Sequence, residues 1–358
     1  PMWGTAQSFV RPWSWYPKAI AFTSITGITG IIFILGLTQS LAVVAVLQRR
    51  HRTGSLAGLI ATLVVVAGVD LAVLSGRPSS RLKVAAVGWE HVGTHGDADP
   101  GTPDGFRRLC EEPLVKAARL GARLIVFPET AFYVPDESDP AALVPFVDLC
   151  REHDTHVVVG YFHEKSRENR AAFIGPEGVL GFYTKTHLTP FEDYARGMGE
   201  PQIVAIEGVK IGVMICQDDN YTDLSRKYGV QCVDVVAVPT NDWEPVRKAH
   251  LQSTIHRAIE SRLAIIRAAS NGISAVISPD GERLASLDHT LHGPGMIVAD
   301  VPVYDRSSGR PWGIRIPGMR CLPSGGGTLY SQSGDWFVAV CGIFLLVYSV
   351  SRFLRTLS

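Results

Sequence analysis

The sequence predicts an α/β domain carried between membrane-spanning helices, and three observations lead there. Short β-type runs alternate with helical patterns through the middle of the chain, the mark of a layered α/β domain. Three long apolar runs stand near its ends. Isolated polar residues, among them Glu129, Cys216 and Asn241, sit where the apolar strand runs stop.

The 358 residues are 46% hydrophobic, enough for one large domain with accessory segments. The apolar content is uneven. Runs at 19–47, 56–74 and 336–354 each approach or exceed the roughly 20 helical residues that cross a hydrocarbon core of about 30 Å. A cleaved signal peptide does not produce two successive spans, so these read as transmembrane helices. Arg49, Arg50 and Arg52 lie between the first two spans, and Arg352 and Arg355 follow the third. Positive flanks face the cytoplasm, which puts the central domain outside; Arg77, Arg81 and Lys83 on the opposite side weaken that contrast. The expected division is residues 1–80 for the membrane region with two helices, 81–305 for the catalytic domain, 306–333 for a loop returning to the membrane and 334–358 for a last helix. Position 1 is proline, consistent with a fragment that lacks upstream spans.

Within the central domain, strands are expected at 83–87, 124–127, 156–160, 210–215, 233–238 and 274–278, with helices at 106–120, 143–152 and 248–261. The runs 171–174 and 179–182 flank Gly175-Pro176-Glu177-Gly178 and read as a hairpin. Past Asp305 the chain turns rich in Gly, Pro and Arg; Arg306, Arg310, Arg315 and Arg320 are placed to meet anionic headgroups or solvent.

Charge and cysteine usage exclude several functions. Lys and Arg total 34, as do Asp and Glu, and no long basic stretch appears, so nucleic acid is not the expected partner. Cys110, Cys150, Cys216, Cys232, Cys321 and Cys341 form no CxxC pair and show no zinc-like His spacing. Neither a metal nor any other cofactor is expected.

In open α/β sheets the carboxyl ends of strands converge on the ligand crevice. That rule makes neighbours of Glu129 after the 124–127 strand, Cys216 after the 210–215 strand, and Thr240-Asn241-Asp242 after the 233–238 strand. Taken singly, Cys216 reads as an inert core cysteine, Glu129 as a turn carboxylate and Lys185 as a solvated lysine.

Together they form a pattern. The segments Phe127-Pro128-Glu129-Thr130, Tyr183 to Phe191 around Lys185, and Gly212-Val213-Met214-Ile215-Cys216 resemble, in order and spacing, the three catalytic motifs of the nitrilase (carbon–nitrogen hydrolase) superfamily. Asn169 also fits. The resemblance implies a nitrilase-like α-β-β-α sandwich and a triad in which Cys216 is the nucleophile, Glu129 its base, and Lys185, with a backbone amide near Gln217, the oxyanion stabiliser. Such chemistry is sound: a thiol attacks as thiolate, so a carboxylate must take its proton, and preorganised donors hold the oxyanion.

Outside the triad the chain is similar to apolipoprotein N-acyltransferases. Ser24-Ile25-Thr26-Gly27-Ile28-Thr29-Gly30 resembles the start of a late transmembrane helix of that family. Tyr183 to Phe191 resembles YxKxHLVPFGE, and Thr240-Asn241-Asp242-Trp243 resembles TNDAWF. Arg257 to Glu260, Arg267-Ala268, Asn271 to Ala275 and Thr328-Leu329-Tyr330 continue the likeness. It implies transfer of an acyl chain from a phospholipid, through a thioester, to the amine of a lipoprotein's N-terminal cysteine. The implied setting is the bacterial inner membrane, with the catalytic domain on its periplasmic side.

The chain departs from this pattern in places. The glutamate of PFGE falls on Asp193, with Glu192 adjacent as a substitute; Cys-Tyr-Glu becomes Cys216-Gln217-Asp218; and Glu244-Pro245-Val246 replaces the segment after Trp243. Asp193, Gln217, Asp218, Asn241 and Trp243 are therefore the expected supporting residues. His187 is expected to be structural. The alternatives left open are a membrane-tethered amidase or acyltransferase with another acceptor, and a degenerate binding protein.

Overall fold

The structure is a computed structural model that describes residues 4–90, 103–135, 142–304 and 327–357. The arginines 306, 310, 315 and 320 of the expected return loop, and Cys321, lie outside the described residues.

Thirteen strands form two sheets among the described residues. In chain order they are β1 (Ser80–Gly88), β2 (Leu124–Val126), β3 (Phe132–Val134), β4 (His156–His163), β5 (Glu168–Gly175), β6 (Gly178–Thr184), β7 (Ile203–Ile206), β8 (Val209–Val213), β9 (Val235–Asn241), β10 (Ala264–Ser270), β11 (Ile273–Ile277), β12 (Arg283–Asp288) and β13 (Gly295–Val303). The first sheet runs β13-β1-β2-β4-β5-β6, with β3 paired to the end of β4. The second runs β12-β11-β10-β9-β8-β7. Each has a parallel centre, β1-β2-β4 in one and β8-β9-β10 in the other, with antiparallel strands outside it.

The sheets stack face to face. Val84, Ala86, Leu124, Val126 and Val158 of the first share one core with Val213, Val235, Val236 and Ile266 of the second. The alternate residues Ala85, Val87, Ile125, Val157 and Val159 face a second core closed by Leu114, Ala117, Phe146 and Cys150 from the helices Glu112–Arg119 and Val144–His153. On the other side, Asp223–Val230 and Arg247–Ser261 contribute Leu224, Tyr228, Leu251, Ile255 and Ile259. The result is the expected α-β-β-α sandwich. Because both faces of each central strand are covered, those strands read as continuous apolar runs, which is why they were legible.

Among the described residues, three helices are long and apolar enough to cross a membrane: Thr29–Leu47, Arg49–Val73 and Trp336–Arg355. Most of their apolar surface points outward; Val46, Leu47, Val64, Phe344 and Leu346 are exposed. The run expected as one span over 19–47 is broken. A short helix Thr23–Thr26 ends at Gly27, whose φ of +69° only glycine adopts readily, and the long helix starts anew at Thr29. A Cβ on Gly27 would stand 2.3 Å from the Tyr330 ring. The break thus comes from close packing as well as from backbone conformation.

Candidate active site

Four strand ends supply the site. Glu129 lies three residues beyond the Val126 end of β2, where Gly160 of β4 passes so close that a Cβ there would sit 2.6 Å from the Glu129 Cα. Lys185 follows β6, and its amide donates to the Asn169 carbonyl at 2.8 Å. Cys216 opens a 3-10 turn, Cys216–Asn220, shortly after β8 and takes a positive φ of +46°. A non-glycine residue in this region of backbone space is uncommon, and such strain is concentrated at functional sites. Asn241 ends β9.

These ends meet in one buried cluster. Glu129 Oε1 accepts from Lys185 Nζ at 2.7 Å and from Asn169 Nδ2 at 2.7 Å. Its Oε2 accepts from the Asn241 amide at 2.8 Å, while the carbonyl of Asn241 lies 3.7 Å from Cys216 Sγ. One residue's main chain therefore holds the carboxylate on one side and the thiol on the other. Lys185 Nζ also donates to Glu192 Oε1 at 2.7 Å, and Glu192 Oε2 accepts from the Thr189 amide at 2.8 Å. The ammonium thus stands between two carboxylates, and its third proton remains to be placed.

Electrostatics follow from burial. Desolvation works against the Lys185 charge, but Glu129, Cys216 and Glu192 around it outweigh that cost and raise its pKa. Burial, reinforced by Glu129, pushes the Cys216 thiol well above its ordinary value, with Lys185 opposing. The resting sulfur is a protonated thiol. Glu192 is raised by burial and by Glu129, against Lys185.

A second polar cluster stands behind the main chain of Cys216. His250 Nε2 lies 3.2 Å from the Cys216 carbonyl and 2.7 Å from Asp219 Oδ1, and its Nδ1 is 2.7 Å from Asp242 Oδ1. Arg267 reaches Asp242 at 2.7 Å and Asp219 at 3.2 Å. All four side chains are buried. Although burial opposes its charge, Asp219 and Asp242 raise His250 to about 9. Burial alone would raise the two aspartates; His250 and Arg267 hold both below the usual carboxylate range.

The expected supporting residues divide. Asp218 is buried and central: Oδ2 accepts from Tyr183 Oη at 2.7 Å and the Ile215 amide at 3.0 Å, Oδ1 from the His187 amide at 2.7 Å. It ties the loop carrying Lys185 to the turn carrying Cys216. Gln217 is buried and accepts from Asn220 Nδ2 at 2.8 Å. Trp243 is half exposed and packs against Phe191, with ring centroids 6.0 Å apart. Asp193 does not join the cluster. Its side chain is fully exposed and pairs with Arg167 at 3.0 Å, and the adjacent Glu192 occupies the position expected for it. The physical reason is that the loop after Pro190 turns Glu192 inward, held by the Thr189 amide. His187, as expected, is held structurally: it bridges Asp218 and Asp223 at 3.1 and 3.3 Å and stacks on Tyr221 at 4.0 Å.

The carbon-nitrogen hydrolase family profile matches residues 83–310, about two thirds of the sequence. The chain belongs to this family. Among curated proteins it is similar to apolipoprotein N-acyltransferase 2 of Treponema denticola, 24% identical over 84% of this chain and 67% of that one. It is 32% identical to the apolipoprotein N-acyltransferase of Geobacter metallireducens over 51% of this chain and 41% of the relative, so the chain spans less than half of that protein's length. A deaminated glutathione amidase of Mus musculus is 27% identical over 65% of this chain and 84% of its own. Among solved structures, an amidase from Nesterenkonia sp. AN1 superposes with a TM-score of 0.54 at 22% identity, covering 62% of this chain and 92% of that one, which shows the shared fold.

Within this carbon-nitrogen hydrolase site, Asp219 and His250 were not expected from the sequence, and Arg267, quoted there only as part of the resemblance, was given no role. Arg267 carried the clearest signal. A charged residue in the middle of an all-apolar strand, Ala264–Ser270, must be paired when buried.

Proposed function

We propose that the chain is a membrane-bound N-acyltransferase that carries an acyl chain from a phospholipid, as a thioester on Cys216, to the amine of a lipoprotein's N-terminal cysteine. One juxtaposition carries the reading: a thiol beside a Glu129–Lys185–Glu192 cluster, in a chain that also carries three helices long and apolar enough to cross a membrane. The similarity to apolipoprotein N-acyltransferases supports the substrate class. The arginines between the first two spans support an inner-membrane protein with its site on the extracytoplasmic side.

In the first half-reaction, Sγ bonds to the ester carbonyl carbon while its proton passes to Glu129. Because the resting thiol is protonated, proton transfer and attack go together. The oxyanion faces the third Lys185 N–H and the Gln217 amide. The C–O bond then breaks, Glu129 returns the proton to the leaving alkoxide, and a lysophospholipid departs. In the second, the acceptor amine attacks the thioester carbon and gives a proton to Glu129. The C–S bond breaks and the thiolate takes that proton back. The Phe191 and Trp243 rings, both well exposed, offer apolar surface to an acyl chain beside the site.

The amidase relatives favour a second reading, in which water resolves the same acyl-enzyme. The two separate on discharge. Loaded with phospholipid, the enzyme should lose its adduct quickly only when a diacylated lipopeptide is added. Equally fast loss in buffer overturns the transferase reading in favour of a hydrolase.

A further inference from the structure

Resting on the acyl-transfer reading, we propose that residues 22–28 form a fixed joint setting the place of Cys216 relative to the bilayer, with Glu260 as its positioning residue on the catalytic side.

Within seven residues this segment engages four separate parts of the molecule. The Phe22 amide donates to Asp70 Oδ1 of the second apolar helix at 2.7 Å. The Ile25 carbonyl accepts from Trp336 Nε1 of the third at 2.8 Å. Gly27 lies flat against the Tyr330 ring. The Ile28 amide, one of the orphan donors where the first apolar helix begins, is satisfied by Glu260 Oε1 at 2.9 Å. Glu260 is fully buried and pairs with Arg257 at 2.7 Å, while its carbonyl accepts from Thr328 Oγ1 at 2.6 Å. Every one of these contacts uses either a backbone group of the segment or a glycine surface. None depends on a flexible side chain of the segment itself.

On the catalytic side the joint continues without a linker. Glu260 and His250 lie on one helix, Arg247–Ser261, ten residues and about 15 Å apart, and His250 reaches the Cys216 carbonyl at 3.2 Å. The helix is buried almost throughout that interval. It acts as a strut between the joint and the nucleophile turn. A soluble substrate would find the nucleophile wherever the domain happened to ride. An acyl ester held at a fixed depth in a bilayer would not, and a misplacement near 1 Å costs about a hundredfold in rate. Glu260 touches no reacting atom, so its effect should fall on one class of donor and spare the other.

The test uses the full chain in liposomes of phosphatidylethanolamine and phosphatidylglycerol, with acylation of Cys216 followed by intact mass. One arm relies on the lipid itself as donor; the other adds water-soluble p-nitrophenyl butyrate. Trp336→Phe, which removes one donor to the joint and keeps an aromatic ring there, is compared with the double variant Arg257→Met with Glu260→Gln, which removes both buried charges together and so leaves neither unpaired. Both should lose about tenfold or more in loading from phospholipid and stay within about twofold of wild type with the soluble ester. Equal losses in both arms, in variants that melt like wild type, would reduce the joint to a structural support and overturn the proposal; so would unchanged loading from phospholipid. A wild-type enzyme that loads from the ester but never from phospholipid fails instead at the acyl-transfer reading.

Discussion

Two ionic clusters flank Cys216, and their difference separates chemistry from scaffold. On the Sγ side, one ammonium is shared by two carboxylates, Glu129 and Glu192, and keeps a proton uncommitted. On the main-chain side, Arg267 and a charged His250 face Asp219 and Asp242, two cations against two anions, each engaged with the others. Under the acyl-transfer proposal the first cluster, in which Glu192 is partly exposed, keeps a donor for a substrate oxygen. The second is buried throughout, and its paired charges hold the turn in which Cys216 takes its positive φ.

That contrast breaks most visibly at Arg267. Arg267→Met removes one partner from a closed, buried set and should cost about 3–5 kcal/mol of stability, read by urea or thermal unfolding. A loss below 1 kcal/mol would show that the cluster is not a closed scaffold. Lys185→Met should act in the opposite sense: acylation of Cys216 slowed by about 10²- to 10³-fold in a protein that still folds, measured in a single turnover.

A subtler distinction lies in pH. His250 is raised to about 9, so the stability it supplies is complete below its unfolded value near 6.5 and is lost as pH rises through about 9. The Tm gap between wild type and His250→Gln should therefore be widest below about pH 6.5 and close toward pH 9 and above. A gap that widens with rising pH contradicts a charged His250. The smallest effect sharpens the assignment of the second carboxylate. Glu192→Gln should slow acylation about tenfold, whereas Asp193→Asn, on a fully exposed side chain, should stay within about twofold.

The sandwich was legible because its central strands are buried on both faces, leaving apolar runs at 83–87, 124–127, 156–160 and 233–238 that match β1, β2, β4 and β9 to within a few residues. Of the edge strands, β6 was read as half of a hairpin, but β7, β12 and β13 were not legible. Strand β12, Arg283–Asp288, alternates only weakly and is half exposed, and β13 owes its place to pairing with β1 along nine residues, which no local pattern encodes. Strand β10 was missed although wholly buried, since it adjoins a helix whose apolar content merges with its own.

The site shows the same division. Glu129, Lys185 and Cys216 could be proposed because each follows a readable strand or hairpin, and the structure brings them together. The family's glutamate was aligned on Asp193 with Glu192 as its substitute, since the turn that points one carboxylate inward and the other to solvent is set by contacts with Thr189, Lys185 and Arg167 that no local pattern encodes. Asp219, His250 and Arg267 come from a turn, a helix and a strand, and only the folded chain brings them together behind Cys216. The break at Gly27 hides in an apolar run because its cause, the Tyr330 ring, arrives from 303 residues later.

The measurement that tests the central claim most directly is the site of acylation. After incubation of the full chain with phospholipid, peptide mapping should find one acyl mass on the peptide carrying Cys216, and none in a folded Cys216→Ala variant. An acyl mass that persists in that variant, or its absence from folded wild-type protein, would contradict the assignment of Cys216 as the nucleophile.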